Sequence, residues 1–588
     1  MKPIIDILVD RFRQAAITAY PELSQTSDDL PLDVTQSTQE KFGHYQFNGA
    51  MKFSKMLKQN PCQIAELLIK NMDTKSSEQG PFIEKLEIAG PGFINITINS
   101  VFISQAVENA LKGPHLGIDL PEKPQRIIID FSSPNTAKEM HVGHLRSTII
   151  GDSLARLFEF LGHDVLRLNH VGDWGTAFGM LIAYMKETVP EVLTGSVTTD
   201  LTHLVNWYRA SKKRFDEDPQ FKKNSQLEVV ELQSGNTEAL HAWGIICDIS
   251  RKAYQEIYDL LDVHVIERGE SFYNPLLADT IADLEAKGLV QVSDGAKCVF
   301  IEGFVNRDGN PLPLMVQKSD GGYNYDTTDM AAIRHRAVDE KGDRLIYVTD
   351  AGQAQHFQMI FKAAEKAGYI DPKKVKVDHV PFGLVLGADG KKFRTRSGDT
   401  EKLVDLLQTA IDEAKKILVQ REIDLPSDEI DVLAKALGIG AVKYADLSCN
   451  RTGDYVFSYE RMLRFEGNTA TFLMYAYVRV AGIKRKVQAD IEEVKKHHHI
   501  VLEHPSEIAL GMHLLQFCEA LEQVSRDLLP NRLTDYLFAL AEKFNAFFRD
   551  CRVEGSPQQN SRLLLCEATA RTMKQGLEIL GVSTVEKM

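Results

Sequence analysis

Ser132-Ser133-Pro134-Asn135-Thr136-Ala137-Lys138-Glu139-Met140-His141-Val142-Gly143-His144 is the stretch that decides the fold. The apolar run Ile127 to Phe131 precedes it, and Leu145 to Leu161 follows with apolar residues at helical spacing as far as Gly162. A short apolar run bounded by turn residues reads as a strand buried on both faces, and the periodic stretch reads as a helix. Val165 to Asn169 predicts the next strand. Strand, loop, helix and strand in this order open a doubly wound parallel sheet. The loop then lies at a helix start, where free N–H groups and the helix dipole attract phosphate. Two imidazoles three residues apart, His141 and His144, can both reach a triphosphate there, and Gly143 lets backbone approach a ligand closely. The bland alternative is a pair of histidines that only cap a loop.

Outward from this unit the alternation resumes. Arg344 to Thr349 predicts a strand, His356 to Ala367 a helix ended by Gly368, and Val375 to Val380 a further strand. One parallel sheet therefore encloses an insertion at about 190–320. Upstream, Ile4, Leu8, Phe12 and Ala15 recur at helical spacing and Lys85 to Ile98 alternates around Gly90-Pro91-Gly92, so residues 1–112 read as a self-contained α+β unit. Ile88 to Val107 carries no charge, yet glycine, proline and polar residues break it, which predicts strand, turn and strand instead of a membrane span. Downstream, Leu403 to Leu418, Ile508 to Leu529, Thr534 to Arg549 and Leu563 to Leu580 are long amphipathic patterns and predict helices. Four segments result: 1–112, 120–400 with its insertion, a helical linker 401–455 and an α-helical segment 456–588.

Composition bounds the function classes. The 588 residues exceed a typical ~150-residue domain several times over, and 44% hydrophobic with 26% charged residues suits a folded multidomain protein. A formal charge of −14, from 68 basic and 82 acidic side chains, argues on its face against a nucleic-acid partner. Two basic stretches qualify that argument. Gly390-Lys391-Lys392-Phe393-Arg394-Thr395-Arg396-Ser397-Gly398 holds four cations and no acid. Gly467 to Ala489 holds Arg479, Lys484, Arg485 and Lys486 without an acid, interleaved with Phe472, Tyr475 and Tyr477. The N-terminal apolar run is interrupted by Asp6 and Asp10, which excludes a signal peptide, and seven scattered cysteines without a Cys-x-x-Cys pair fit a reducing cytoplasm. No protein-bound metal is expected; His497-His498-His499 reads as part of a solvated loop.

The Ser133 to His144 block is joined by Asn169-His170-Val171-Gly172-Asp173-Trp174-Gly175, Tyr325-Asp326-Thr327-Thr328-Asp329, Gly352-Gln353 before His356-Phe357, and Lys443-Tyr444-Ala445-Asp446-Leu447-Ser448. With these motifs in this order, and the end from Arg562 to Met588, the chain resembles the class I aminoacyl-tRNA synthetases over nearly its whole length, and among them the arginyl-tRNA synthetases.

The resemblance implies a class I Rossmann-like catalytic domain with an N-terminal α+β tRNA-binding domain, a stem-contact linker and an all-α anticodon-binding domain. It implies activation of L-arginine with ATP, carried as its Mg2+ complex, and transfer to the 3′ end of tRNA(Arg), with activation itself requiring tRNA. It gives His141, Gly143, His144, Lys391, Lys392 and Arg394 to ATP, and a catalytic role to His141, His144, Lys138 and Lys392. The lysine loop departs from the family's Lys-Met-Ser-Lys-Ser pattern, Thr395 standing where its second lysine would be, and Lys138 resembles the replacement found in members with such a loop. Arginine falls to Ser133, Asn135, His144, Tyr325, Asp329 and Gln353. A guanidinium needs a planar acceptor, which Asp329 supplies, with the Tyr325 hydroxyl one helical turn away. Tyr475, Tyr477, Arg479, Lys484 and Arg485 are the expected tRNA contacts, and no editing site is needed. A monomer without membrane contact is expected. Rival readings are another class I synthetase, disfavoured because neither a Cys-rich zinc site nor an arginine clamp for a carboxylate stands beside the motif, and a small-molecule adenylyltransferase, which leaves both terminal segments unexplained. A non-catalytic RNA-binding paralogue would be expected to lack His141, His144 or Asp329.

Overall fold

The computed structural model describes residues 2–76, 80–306, 308–393, 401–423 and 425–588. The chain forms two compact units. One comprises Pro121–Arg464 and Ile579–Val582; the other comprises Met1–Leu120, Phe465–Glu578 and Ser583–Met588.

The first unit is built on five parallel strands, in spatial order Lys376–Phe382, Arg344–Asp350, Arg126–Asp130, Asp164–Asn169 and Ile266–Glu267. Ile127, Ile128 and Ile129 of the middle strand are buried, as a strand covered by helices on both faces requires. Each such side chain taken from water contributes about 1.5–3 kcal/mol. The helix Val142–Phe160 crosses back from this strand and stops before Gly162, whose φ of 82 favours glycine. It begins three residues earlier than the apolar periodicity suggested, because His141 caps it. The stretch expected as an insertion, about 190–320, is not wholly outside the sheet: among helices between Pro190 and Ala286 it returns Ile266–Glu267 as the sheet's edge strand, and it then forms a three-stranded antiparallel sheet, Val290–Ser293, Ala296–Val305 and Pro311–Gln317. Beyond the sheet, Leu403–Gln420 and Ser427–Leu447 form the helices of the linker segment.

The second unit combines the N-terminal sheet with C-terminal helices. Ile4, Leu8, Phe12 and Ala15 are all buried on the helix Ile4–Ala19, and Ile83–Ala89 pairs with Phe93–Ile98 around the predicted turn. The charge-free stretch does not continue as strand: Asn99 caps a helix, Ser100–Ala110, by accepting from Val101 and Phe102. Ile508 to Leu529, a single helix by periodicity, is two, Pro505–Leu515 and Phe517–Asp527, interrupted at Gln516. Glu519 binds the halves of this unit together: its carboxylate accepts from Gln36, from the buried Tyr45 hydroxyl at 2.7 Å and from the Ile5 N–H.

Candidate active site

The order of the strands locates the site. Crossovers run to opposite sides from Arg126–Asp130 and Arg344–Asp350, which are neighbours, so their carboxyl ends flank the topological switch point where such sheets bind ligands. The loop from Ser132 starts there. Ser132, Ser133 and Ala137 all adopt left-handed backbone, with φ of 71, 48 and 60. Non-glycine residues hold this conformation only where their surroundings over-determine it. Here the Ser132 N–H donates to Ser147, the Ser133 N–H to the Asn169 side chain, and the Ala137 N–H to Ser250, while the Tyr254 hydroxyl donates to the carbonyls of Asn135 and Lys138. The Asn169 to Gly175 motif is thus the other wall of the loop: Gly172 and Asn135 form a bridge, and a Cβ on Gly172 would lie 2.1 Å from Asn135 Oδ1.

His141 and His144 cap the helix reciprocally. His141 Nδ1 accepts from the Gly143 N–H at 3.1 Å, and His144 Nδ1 accepts from the His141 N–H at 3.1 Å. With both Nδ1 atoms accepting, each neutral ring carries its proton on Nε2. Burial, His141 and Lys138 push the His144 imidazole down to about 3, and burial together with the Lys392 charge lowers His141. Both are neutral donors at neutral pH. Gly143 matters for a reason other than ligand approach: a Cβ there would lie 2.9 Å from His141 Cε1, so a side chain would push the cap aside.

The lysine stretch forms a hairpin over its described part. Leu386 bridges Lys392, the Phe393 N–H donates to the Val385 carbonyl, and Gly390 turns with φ of 71. Lys391 and Lys392 are exposed. Arg394, Thr395 and Arg396 lie outside the described residues. Lys138, also exposed, stands 6.0 Å from the centre of the Tyr208 ring.

A second cluster faces the same crevice. Asp326 and Asp329, on the helix Tyr325–Arg334, grip His356: Nε2 is 2.6 Å from Asp329 and Nδ1 3.3 Å from Asp326. Hydrogen bonds to the two acids outweigh burial and raise this imidazole to about 9. The Tyr325 ring, 63% exposed, stands edge-on to His356 at 5.1 Å. Glu270, beside Asp329 and Asp173, is pushed up to about 7, by burial first and then by those carboxylates. Beneath lies Arg336, 1% exposed, whose Nη1 is 2.8 Å from Asp130 and whose Nη2 is 3.1 Å from His170. Asp130 also accepts from the Ser133 hydroxyl at 2.9 Å. Gln353, exposed, donates to Asp350 at the end of its strand.

These sites can be set beside known proteins. The catalytic-domain model for class I tRNA synthetases (R) matches residues 106–459, an arginyl-tRNA synthetase N-terminal domain model matches 6–98, and a DALR anticodon binding domain model matches 473–588. An arginine–tRNA ligase of Protochlamydia amoebophila is 66% identical over the full length of both chains, and one of Trichodesmium erythraeum is 52% identical, again over both. The chain belongs to the arginyl-tRNA synthetase family. The crystal structure of the arginyl-tRNA synthetase from Plasmodium falciparum, 34% identical, superposes over the whole of both chains with a TM-score of 0.86.

In this synthetase the basic stretch of the C-terminal helix Ala470–Val487 divides into two groups. Tyr475 is 41% exposed, and the Arg479 guanidinium lies between its ring and that of Phe548, at 5.1 and 5.6 Å. A cavity of about 450 Å³ opens beside them, lined also by Lys486, Arg549 and Arg552. By contrast, Tyr477 is buried with its hydroxyl on Glu586, Lys484 pairs with Glu567, and Arg485 donates to the Glu586 carbonyl. The stretch is free of acids in sequence but meets two in space. His356, Glu270 and Arg336 were not singled out as site residues by sequence patterning. His356 at least stood within a quoted motif; Glu270, alone in the insertion, carried no periodic or compositional signal.

Proposed function

We infer that the acidic cluster reads the arginine side chain while the histidine-capped helix start receives the phosphates of ATP. On this reading the chain joins L-arginine to tRNA(Arg) and releases AMP and pyrophosphate. The observation that carries it is the pairing of Asp326 and Asp329 with one imidazolium, His356, while a further acid, Glu270, stands beside Asp329. The cluster is short of positive charge, and a guanidinium supplies that charge in a planar form matched to carboxylates. Tyr325 flanks the same position. Ser133, its hydroxyl proton committed to Asp130, keeps lone pairs to accept from the α-ammonium, and Asn135 and Gln353 complete the hold on that end.

On the phosphate side, neutral His141 and His144 direct Nε2–H groups outward without adding charge, and Lys138, Lys391, Lys392 and Arg394 supply the cations. ATP arrives as its Mg2+ complex. A carboxylate oxygen of arginine bonds to the α-phosphorus as the bond to pyrophosphate breaks. The terminal hydroxyl of tRNA then attacks the carbonyl carbon, and AMP leaves. No nucleophilic side chain is required; positioning and charge stabilisation do the catalysis.

We assign residues 1–112 to tRNA binding, 120–400 to catalysis, 401–455 to stem contact and 456–588 to the anticodon. Within the last, Tyr475 and Arg479 stack on unpaired bases, whereas Tyr477, Lys484 and Arg485 shape the surface through their internal partners. The chain acts as a cytoplasmic monomer, and sedimentation tests the oligomeric state. No helix among the described residues is long and apolar enough to cross a membrane. Pyrophosphate exchange with each amino acid, with and without tRNA, tests the assignment: only arginine supports exchange, and Asp329→Ala raises its KM while that of ATP stays put. Exchange with another amino acid, or arginine kinetics indifferent to Asp329→Ala, overturns it.

A further inference from the structure

The Lys443 to Ser448 motif has no part in the reaction described above, yet its Asp446 is fully buried against an equally buried cation, Arg146, two residues beyond His144. Arg146 Nε is 3.1 Å from Asp446 Oδ2, and its Nη1 donates to the carbonyls of Gly383 at 2.8 Å and Gly453 at 3.1 Å. The guanidinium also lies over the Tyr455 ring, 5.1 Å from its centre.

These partners are the footing of the lysine hairpin. Gly383 leads into Val385–Leu386, Gly453 leads into Tyr455–Val456, and the two short strands pair in parallel. Gly383 sits so close to the second segment that a Cβ would lie 2.5 Å from the Gly453 carbonyl. Val385 and Leu386 are the residues across which Phe393 and Lys392 fold back. One side chain on the histidine helix therefore grips both the carbonyl that leads into the lysine hairpin and the carbonyl that leads into the strand paired with its base.

We propose that Arg146, anchored by Asp446, is a positioning residue that holds the histidine helix and the lysine hairpin in register on the phosphates. The proposal rests on the assignment of His144 and Lys392 to ATP. Stability alone does not account for the pair: a buried ion pair is often replaceable by apolar residues of similar volume without loss, and Arg146 Nη2 is buried with no acceptor among the described residues. What an apolar pair cannot do is fix the angle between a helix and two carbonyls.

The test is the double variant Arg146→Met/Asp446→Leu in the full chain, with Arg146→Lys and Asp446→Asn beside it. Adenylate formation is followed by pyrophosphate exchange in the presence of tRNA, per active site. The expected result for the double variant is a melting temperature near that of the parent and a kcat lowered about 10²-fold, as for reacting groups displaced by ~1 Å. The KM for ATP rises, the KM for arginine stays within about twofold, and Arg146→Lys recovers part of the rate. A purely structural role predicts the reverse, fewer active sites each turning over normally, and that result overturns the proposal. Should the double variant not fold, Asp446→Asn decides by the same split. His144→Ala and Lys392→Ala serve as controls. If neither alters ATP kinetics, the phosphate-site assignment fails; if both do while the Arg146 variants do not, the positioning role alone fails.

Discussion

Glu270 makes arginine recognition depend on pH in a direction that can be worked out. Its carboxyl stands at about 7 because burial and the neighbouring Asp329 and Asp173 all oppose its charge. Arginine brings a guanidinium to these acids and so favours the ionised form of Glu270. His356 stays protonated until about 9 and contributes a constant charge below that. With an apparent value near 7, Glu270 is ionised in about a tenth of molecules at about pH 6 and nine-tenths at about pH 8. If arginine pairs with the anion, its KM falls about tenfold between these limits and levels off above them, and binding below neutrality releases a proton. The linkage to folding has the opposite sense. An acid whose folded value is raised binds more protons in the folded than in the unfolded state, so the arginine-free protein loses stability as pH rises from about 4.5 towards 7. Glu270→Gln removes the slope and raises KM at about pH 8, by about 10- to 100-fold for the loss of a charged hydrogen bond of ~1.5–3 kcal/mol. Arginine KM values from pyrophosphate exchange, at saturating ATP and tRNA across this range, measure both. A flat profile in the parent protein, or a slope that survives Glu270→Gln, refutes the reasoning.

Two further outcomes concern the cations. Lys138→Ala lowers the rate of arginyl-adenylate formation by about 10²-fold or more in single-turnover kinetics, whereas Thr395→Ala leaves it within about twofold; equal, mild effects remove Lys138 from the phosphate site. Arg479→Ala and Tyr475→Ala each raise the KM for tRNA by about 1–3 kcal/mol equivalent, the range for lost base stacking, with little change in arginine or ATP kinetics. Lys484→Ala instead lowers the melting temperature, because it leaves Glu567 without one of its two cations. A tRNA-specific effect at Lys484 would show that its ion pair opens in the complex.

The parts of this fold that were legible in the sequence are those made by local pattern. The isoleucine strand, the helix stopped by Gly162 and the later strand, helix and strand stand where periodicity put them, within a few residues at each end. The largest shift, the helix start at Val142, comes from an imidazole serving as the cap, outside the usual Ser, Thr, Asp and Asn set. Gln516 shows the opposite limit: apolar spacing continues through a break in backbone direction and does not register it. Across the sites, what was read was what lay within one motif. Asp329 and Tyr325 were visible as a helical pair, but the histidine that holds Asp329 comes from a different helix and the third acid from the insertion. The acid-free stretch on Ala470–Val487 reads differently in space for the same reason, since Glu567 and Glu586 approach Lys484 and Tyr477 from a distant part of the chain.

The two halves of the crevice handle charge by opposite means, and the reaction explains why. On the proposed assignment arginine is held through a charge that does not change during the chemistry, so its site holds a surplus of carboxylates, and the arriving cation shifts Glu270, at about 7, further towards its ionised form. Pyrophosphate must be stabilised as it forms and then let go. A helix start bearing two imidazoliums beside Lys138 and Lys392 would bind it too strongly to release. Burial first, then His141 and Lys138, keep His144 at about 3, which leaves it a neutral donor at physiological pH. The positive charge then resides on exposed lysines, Lys138, Lys391 and Lys392, while the imidazoles hold by direction instead of by charge. An overall charge of −14 is compatible with a polyanionic substrate because the cations that meet it are few and local.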